Sequence, residues 1–313
     1  MRYLITIMRY LITIGTRALT RLPCTLSKIK PTQYDSIGQT YTPVTSLPTI
    51  RLVTSNIRSI ITPFLASLSS SPVHALDLAC GTGFYTRSLL DWGADFVVGS
   101  DISTSMVNTA RAQSTHLQGS ITYLVADASL PPSSPQETQA GQTLPNGELF
   151  DLVTGIWCLN YASSSAQLER FFTTISQNLK PGGSFIGVIQ NVHTANLEPL
   201  NELWKKEFGV ERGPKYGYSI SKVVPITEGE GAGEGYTVHL KAHVQPKPVE
   251  FDCYYLYAEC FEKAALRSGL GRVEWLVVKE PGEFKGEFDD FEEGFWDTYR
   301  GSRNFNIIKI KKE

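Results

Sequence analysis

The sequence predicts a parallel, doubly wound α/β sheet, and three observations predict it. Apolar runs bounded by turn residues alternate with stretches of helical spacing from Val73 to Ile189, the pattern of strand–helix–strand units on a parallel sheet. The first run ends in Cys80-Gly81-Thr82-Gly83, a turn sharp enough to need glycine. Acids stand near the carboxyl ends of the first two runs, at Asp77 and Asp101.

The elements follow in order. Ser59 to Leu68 is a short apolar segment whose Pro63 suits a first helical turn, and Ser69 to Pro72 form a break. Val73 to Ala79 reads as the first buried strand, and Phe84 to Trp92 as a helix closed by Gly93. Phe96 to Ser100 is the second strand, and Ser103 can N-cap a helix from Thr104 to Gln113. Ile121 to Ala126 and Phe150 to Ile156 are the third and fourth strands; between them Pro131 to Glu148, rich in Pro, Ser, Gln and Gly, reads as a surface loop. A helix over Ala166 to Leu179 leads to a fifth strand, Ser184 to Ile189.

The regularity then lapses. Val192 to Val249 carries two antiparallel strands around Val223 and Val238, separated by a glycine-rich hairpin tip from Glu228 to Gly235. A helix from Tyr254 to Ser268 ends at Gly269, and Arg272 to Val278 and Phe305 to Ile310 complete a seven-stranded sheet. The expected division is a leader or extension over 1–30 and one domain over 31–313. Within that domain 31–72 is a helical approach, 73–191 the ligand-binding core, 192–250 a cap inserted after strand 5, and 251–313 the last helix and strands.

Composition narrows the function. The chain has 313 residues, 42% hydrophobic and 19% charged, a globular balance. A formal net charge of −2 provides no overall field for nucleic acid or an acidic membrane, and no apolar run approaches the ~20 residues that span a bilayer. Five cysteines with no Cys-x-x-Cys pair read as reduced thiols of a cytoplasmic protein. The first thirty residues repeat MRYLITI and hold six basic and no acidic side chains. That is either the composition of a mitochondrial transit peptide or an extension, with Met8 an equally good start.

The chemistry sits at the first turn. Glycines there let a ligand approach the backbone, and the following helix presents unpaired N–H groups. Asp101 lies eighteen residues beyond Gly83 at the end of the next strand, where a ribose-binding carboxylate belongs. A dinucleotide site wants a third glycine for helix–strand packing, and that position holds Thr86. The pattern therefore tilts away from NAD.

At these residues the sequence resembles the class I S-adenosylmethionine-dependent methyltransferases. LDLACGTG is similar to their first motif, VVGSDIS to the second, LVADAS to the third, FDLVTGIWCLNY to the fourth and LKPGGSFIGV to the turn into the fifth strand. YDSIGQTY at Tyr34 to Tyr41 resembles the start of small-molecule members, and YYLYAECFEKAALRSGL the toxoflavin synthase branch. The resemblance implies a Rossmann-like sheet, mostly parallel with an antiparallel last strand, and S-adenosyl-L-methionine as cofactor. It places Gly81, Gly83 and Ala79 against the methionine moiety, Asp77 toward its α-amino end, and Ile156 toward its ammonium group through a carbonyl. Asp101 would accept from both ribose hydroxyls, Ile102 and Met106 would pack on the adenine, Asp127 and the Ala128 N–H would meet its edge, and Tyr34 would close over the methionine end.

The acceptor is less legible. His193, just past strand 5, is a candidate base, with Tyr161, Tyr254 and Glu259 as alternatives; Trp157, Asn160, Trp204, Tyr218 and Tyr255 are candidate pocket residues. The fourth motif lacks the Asn-Pro-Pro-Tyr of base-amine methyltransferases, so a small organic acceptor is expected, with no nucleic acid, membrane or metal. An NAD(P)-dependent oxidoreductase and a non-catalytic S-adenosylmethionine-binding protein remain open at this stage.

Overall fold

The computed structural model describes residues 32–68, 72–130, 149–190, 209, 211–297, 299 and 305–313. The leader, the loop Pro131 to Glu148, His193 and Trp204 lie outside the described residues. The central sheet has seven strands in the order β3-β2-β1-β4-β5-β10-β9: β1 is His74–Leu78, β2 Phe96–Asp101, β3 Ile121–Val125, β4 Phe150–Ile156, β5 Leu179–Gln190, β9 Glu274–Leu276 and β10 Phe305–Lys311. β1 through β5 are mutually parallel, and β10 runs antiparallel between β5 and β9. Every residue of β1 and β4 is buried, as continuous apolar runs require when helices cover both faces. Strand order reverses between β1 and β4, so a crevice opens beyond their carboxyl ends.

Helices α3 (Phe84–Asp91), α4 (Thr104–Gln113) and α5 (Ser165–Asn178) connect these strands. Ser103 caps α4 as its sequence predicts, its hydroxyl accepting from the Met106 N–H at 3.3 Å. Ahead of the sheet a short helix α1 (Gln33–Ile37) and a 3-10 stretch lead into α2 (Pro48–Ala66). The sequence reading of Ser59 to Leu68 saw only the end of α2: Pro48 opens the helix and Pro63 sits in its last turn. Buried polar residues masked the periodicity. Asn56 is held by the backbone of Lys279 (2.8 and 3.1 Å), and Ser55 donates to Glu287 at 2.6 Å, so these side chains face protein rather than water.

The cap is a three-stranded antiparallel sheet of β6 (Tyr218–Pro225), β7 (Gly235–Ala242) and β8 (Val249–Leu256), preceded by a helical turn, α6 (Gly213–Tyr216). β8 corrects the sequence reading, which began a helix at Tyr254. Val249 to Tyr254 alternates in period two, and Tyr254 and Tyr255 pair with Thr237 and Tyr236. The cap sheet therefore reaches 256 rather than 250, and the helix α7 spans Ala258–Arg267. Between β9 and β10 an aromatic segment packs on α2, where Arg51 lies 4.8 Å over the Phe291 ring and 2.7 Å from Asp290. Among the described residues no helix is long and apolar enough to cross a membrane.

Candidate active site

The β1–α3 turn is built on left-handed backbone. Ala79 and Gly81 each have φ +55 and Gly83 +79, and for Ala79 that conformation is strained. The Gly81 N–H donates to Asp101 Oδ2 at 2.9 Å, and the Ser103 N–H donates to Oδ1 at 2.8 Å. Asp101 thereby clasps the β1 and β2 turns together. Burial pushes its carboxyl up to about 6, against the pull of those two N–H groups.

Two residues expected at the ligand do not line the cavity and pack against protein. Asp77 is 2% exposed, accepting from Thr86 Oγ1 at 2.8 Å and Thr154 Oγ1 at 2.9 Å. Its carboxylate staples α3 and β4 to β1 and lies away from the cavity described below. Thr86 stands where a third glycine would stand, and its hydroxyl is committed to this bond. Gly83 is likewise directed at protein: a Cβ there would overlap the Tyr123 hydroxyl and lie 2.8 Å from the Arg87 guanidinium. At Gly81, by contrast, an added Cβ meets nothing within 4 Å, so its face is open.

Burial also pushes the Asp77 carboxyl up to about 6, the neighbouring charge of Asp101 adding to the effect. A folded-state value above the unfolded one near 3.9 means the native state holds more protons between the two. Stability from this group therefore falls as pH rises through that window. Asp77→Asn keeps one acceptor and supplies a donor that a turned threonine hydroxyl can accept. The variant is expected to melt a few degrees above wild type at pH 8 and to lose that advantage at pH 4. Thermal scans at both pH values check this; equal gains at both would mean that charge burial is not the cause.

A cavity of about 510 Å3 opens beyond the carboxyl ends of β1, β2 and β4, within the range of small-molecule sites. Of the predicted residues, Tyr34, Ala79, Gly81, Asp101, Ile102, Met106, Asp127, Ala128, Ile156, Trp157, Tyr161 and Tyr254 line it. Glu259 does not: it is exposed on α7, 3.5 Å from Lys263. Sequence reasoning missed Tyr41, Tyr85, Gln167, Phe171 and Asp252, which also line the cavity. Tyr41 closes the quoted YDSIGQTY segment and carried a signal; the others come from elements whose inward faces only packing defines. The charged lining among the described residues is Asp101, Asp127 and Asp252, with no lysine, arginine or histidine. Asp127 accepts from both the N–H and the hydroxyl of Ser129, at 2.8 and 2.7 Å.

The approach segment lies over this cavity. Asp35 accepts from Ser103 Oγ at 2.7 Å, joining α1 to α4. The Gln33 side chain donates to the Asp252 carbonyl at 2.9 Å and accepts its N–H at 3.0 Å, joining α1 to β8. The Tyr34 and Tyr161 hydroxyls share a hydrogen bond, with Tyr41 edge-on to Tyr34. Burial raises both phenols well above their ordinary value, so at neutral pH they are protonated. Among the described residues no group of three or more His, Cys, Asp or Glu is placed to hold a metal ion.

Residues 75–183 match the family described as "Methyltransferase domain". A search of curated proteins gives no match. Among solved structures, the PH0226 protein of Pyrococcus horikoshii OT3 is 20% identical, with 91% of this chain and 100% of that chain covered and a TM-score of 0.53. Phosphoethanolamine N-methyltransferase 2 of Haemonchus contortus, in complex with S-adenosyl-L-methionine, is 17% identical, with 90% of this chain and 60% of that chain covered and a TM-score of 0.50. At such identities the likeness is one of fold. The first-motif turn, the Asp101 clasp, the cavity and the matched segment converge: residues 75–183 are similar to a methyltransferase domain, and the chain as a whole has a Rossmann-like α/β fold.

Proposed function

We propose that this chain is an S-adenosylmethionine-dependent methyltransferase acting on a small organic molecule, with the cofactor held along the β1, β2 and β3 ends of the cavity. The observation that carries the reading is the open Gly81 face beside a buried carboxylate, Asp101, at the strand-order reversal. A cradle without side chains beside an acid fits a nucleoside with an aminoacyl tail. In this reading Asp101 accepts from the ribose hydroxyls, Ile102 and Met106 cover the adenine faces, and Asp127 with the Ala128 N–H meets the adenine edge. Gly81, Ala79 and the Ile156 carbonyl hold the methionine end under Tyr34. Asp77 and Gly83 support this arrangement from behind.

S-adenosylmethionine, when bound, supplies an electrophilic methyl group on a sulfonium. The chain's part is to hold the acceptor in line and exclude water, which suits the α1 segment clipped to both core and cap. Tyr34 and Tyr161, kept protonated, donate hydrogen bonds rather than abstract protons. The resemblance of the tail to the toxoflavin synthase branch belongs to this proposal, as does a cytoplasmic site of action, which suits four buried free thiols. Nucleic acid is a poor acceptor for a chain of net charge −2.

Calorimetry with S-adenosylhomocysteine and NAD tests the cofactor assignment: micromolar binding of the first and none of the second is expected, and the reverse sinks it. For an acceptor that arrives protonated, the proposed base is His193, which follows β5 in the chain. His193→Ala is then expected to lower turnover roughly 10²-fold with S-adenosylhomocysteine affinity unchanged. Unaltered turnover and pH profile would remove it from catalysis.

A further inference from the structure

A second, smaller compartment adjoins the cavity, about 60 Å3 in volume and sharing Tyr41, Trp157 and Tyr161 with it. Counted at 10–15 Å3 per water, it admits a group of roughly four non-hydrogen atoms. Two amide side chains line it, Asn160 after β4 and Gln190 at the end of β5, 4% and 7% exposed. Asn160 Oδ1 accepts weakly from the Gln190 backbone N–H at 3.4 Å. Asn160 Nδ2 and both polar atoms of the Gln190 amide have no hydrogen-bond partner among the described residues. The Trp157 indole N–H is buried and equally without a partner, and Trp157 itself is held at φ +66. Unpaired polar groups at such depth are costly unless a ligand meets them, and strained backbone gathers at functional sites.

We propose that this compartment recognises the polar end of the methyl acceptor, and that this end is an uncharged group that both accepts and donates, such as a carboxamide or the lactam edge of a heterocycle. The inference rests on the methyltransferase reading and specifies its acceptor. The donors are Asn160 Nδ2 and Gln190 Nε2; the acceptor is Gln190 Oε1. No acidic or basic side chain lines the compartment among the described residues. A carboxylate or phosphate would find N–H groups there but no counter-charge, at a large desolvation cost. It would also offer no proton to Gln190 Oε1. The remaining wall, with Val44, Leu240 and Cys253, excludes water and rejects a group that arrives solvated.

The test uses the full chain saturated with S-adenosylhomocysteine and two isosteric pairs of probes, acetamide against acetate and benzamide against benzoate. Methyl NMR is expected to show both amides contacting Leu240 and Val44, with each carboxylate at least tenfold weaker. Gln190→Met is expected to weaken benzamide binding at least tenfold while S-adenosylhomocysteine affinity stays at the wild-type value. Carboxylates that bind there as well as amides overturn the proposal, as does benzamide that never contacts Leu240 or Val44. If Gln190→Met does not fold, the wild-type contacts decide alone. Should S-adenosylhomocysteine itself fail to bind, the cofactor reading falls, and amide contacts measured on the cofactor-free chain still decide this one.

Discussion

Asp101→Ala is expected to weaken S-adenosylhomocysteine binding by about 4 kcal/mol, a thousandfold change, in a chain that still folds. Two hydrogen bonds from ribose to a charged acceptor are each worth about 1.5–3 kcal/mol. The substitution also frees the Gly81 and Ser103 N–H groups that Asp101 clasps at 2.9 and 2.8 Å, so the turn is less well prepared for its ligand. The pH dependence follows with a definite sign. Burial pushes this carboxyl up to about 6 in the free enzyme, and hydroxyl donors favour its ionised form. Binding therefore releases a proton below that value, and affinity rises as pH increases through about 6 before levelling. Asp101→Asn should lower the affinity and flatten this profile. Calorimetry from pH 5 to pH 8, with circular dichroism on each variant, measures both effects. Wild-type affinity in the folded alanine variant would remove Asp101 from the site.

Much of the architecture was legible because buried parallel strands announce themselves. The mostly apolar runs at His74–Leu78 and Phe150–Ile156 are buried on both faces, so no solvent-facing alternation disguises them, and Ser103 marks the start of α4 in one letter. Antiparallel and amphipathic elements were harder. In β8 the exposed alternation of Glu250 and Asp252 ran into the Tyr254-Tyr255 pair, whose aromatic bulk fits helix or strand until a partner strand is known. In α2 the polar residues Ser55 and Asn56 look solvent-facing in sequence, yet bond to a segment more than 220 residues away.

The site divides along the same line. Residues that line the cavity from the end of β2 and the start of α4, such as Asp101 and Met106, are fixed by local geometry and could be named. Asp77 could not be assigned correctly: its position says buried acid, and only the packing of Thr86 and Thr154 says what pairs with it. Glu259 stands in the first turn of α7 on its exposed side, beside Lys263 and outside the cavity, and a lone acid in a helix carries no signal of which face it takes.

The two glycines of the first motif separate ligand from fold most sharply. Gly83→Val is expected to destabilise the protein by about 4 kcal/mol, lowering the melting temperature by roughly ten degrees. Left-handed backbone costs an L residue about 1–2 kcal/mol, and a branched side chain at φ +79 also runs into Tyr123 and Arg87. Neither neighbour yields easily. Arg87 donates to the Thr82 carbonyl at 3.0 Å and to Gln113 at 3.1 Å, and the Tyr123 hydroxyl bonds Ser114 at 2.9 Å. Overpacking of this kind adds about 1–3 kcal/mol. Gly81→Ala bears the backbone cost alone at φ +55, because its methyl meets no protein atom within 4 Å. That methyl instead enters the cavity where the methionine end is to lie. The expected pattern is a melting temperature within a few degrees of wild type and S-adenosylhomocysteine affinity reduced at least a hundredfold. Scanning calorimetry and titration of the two variants side by side read both axes. A Gly83→Val protein that melts normally but fails to bind, or a Gly81→Ala protein that binds normally, would reverse these assignments and return Gly83 to the ligand.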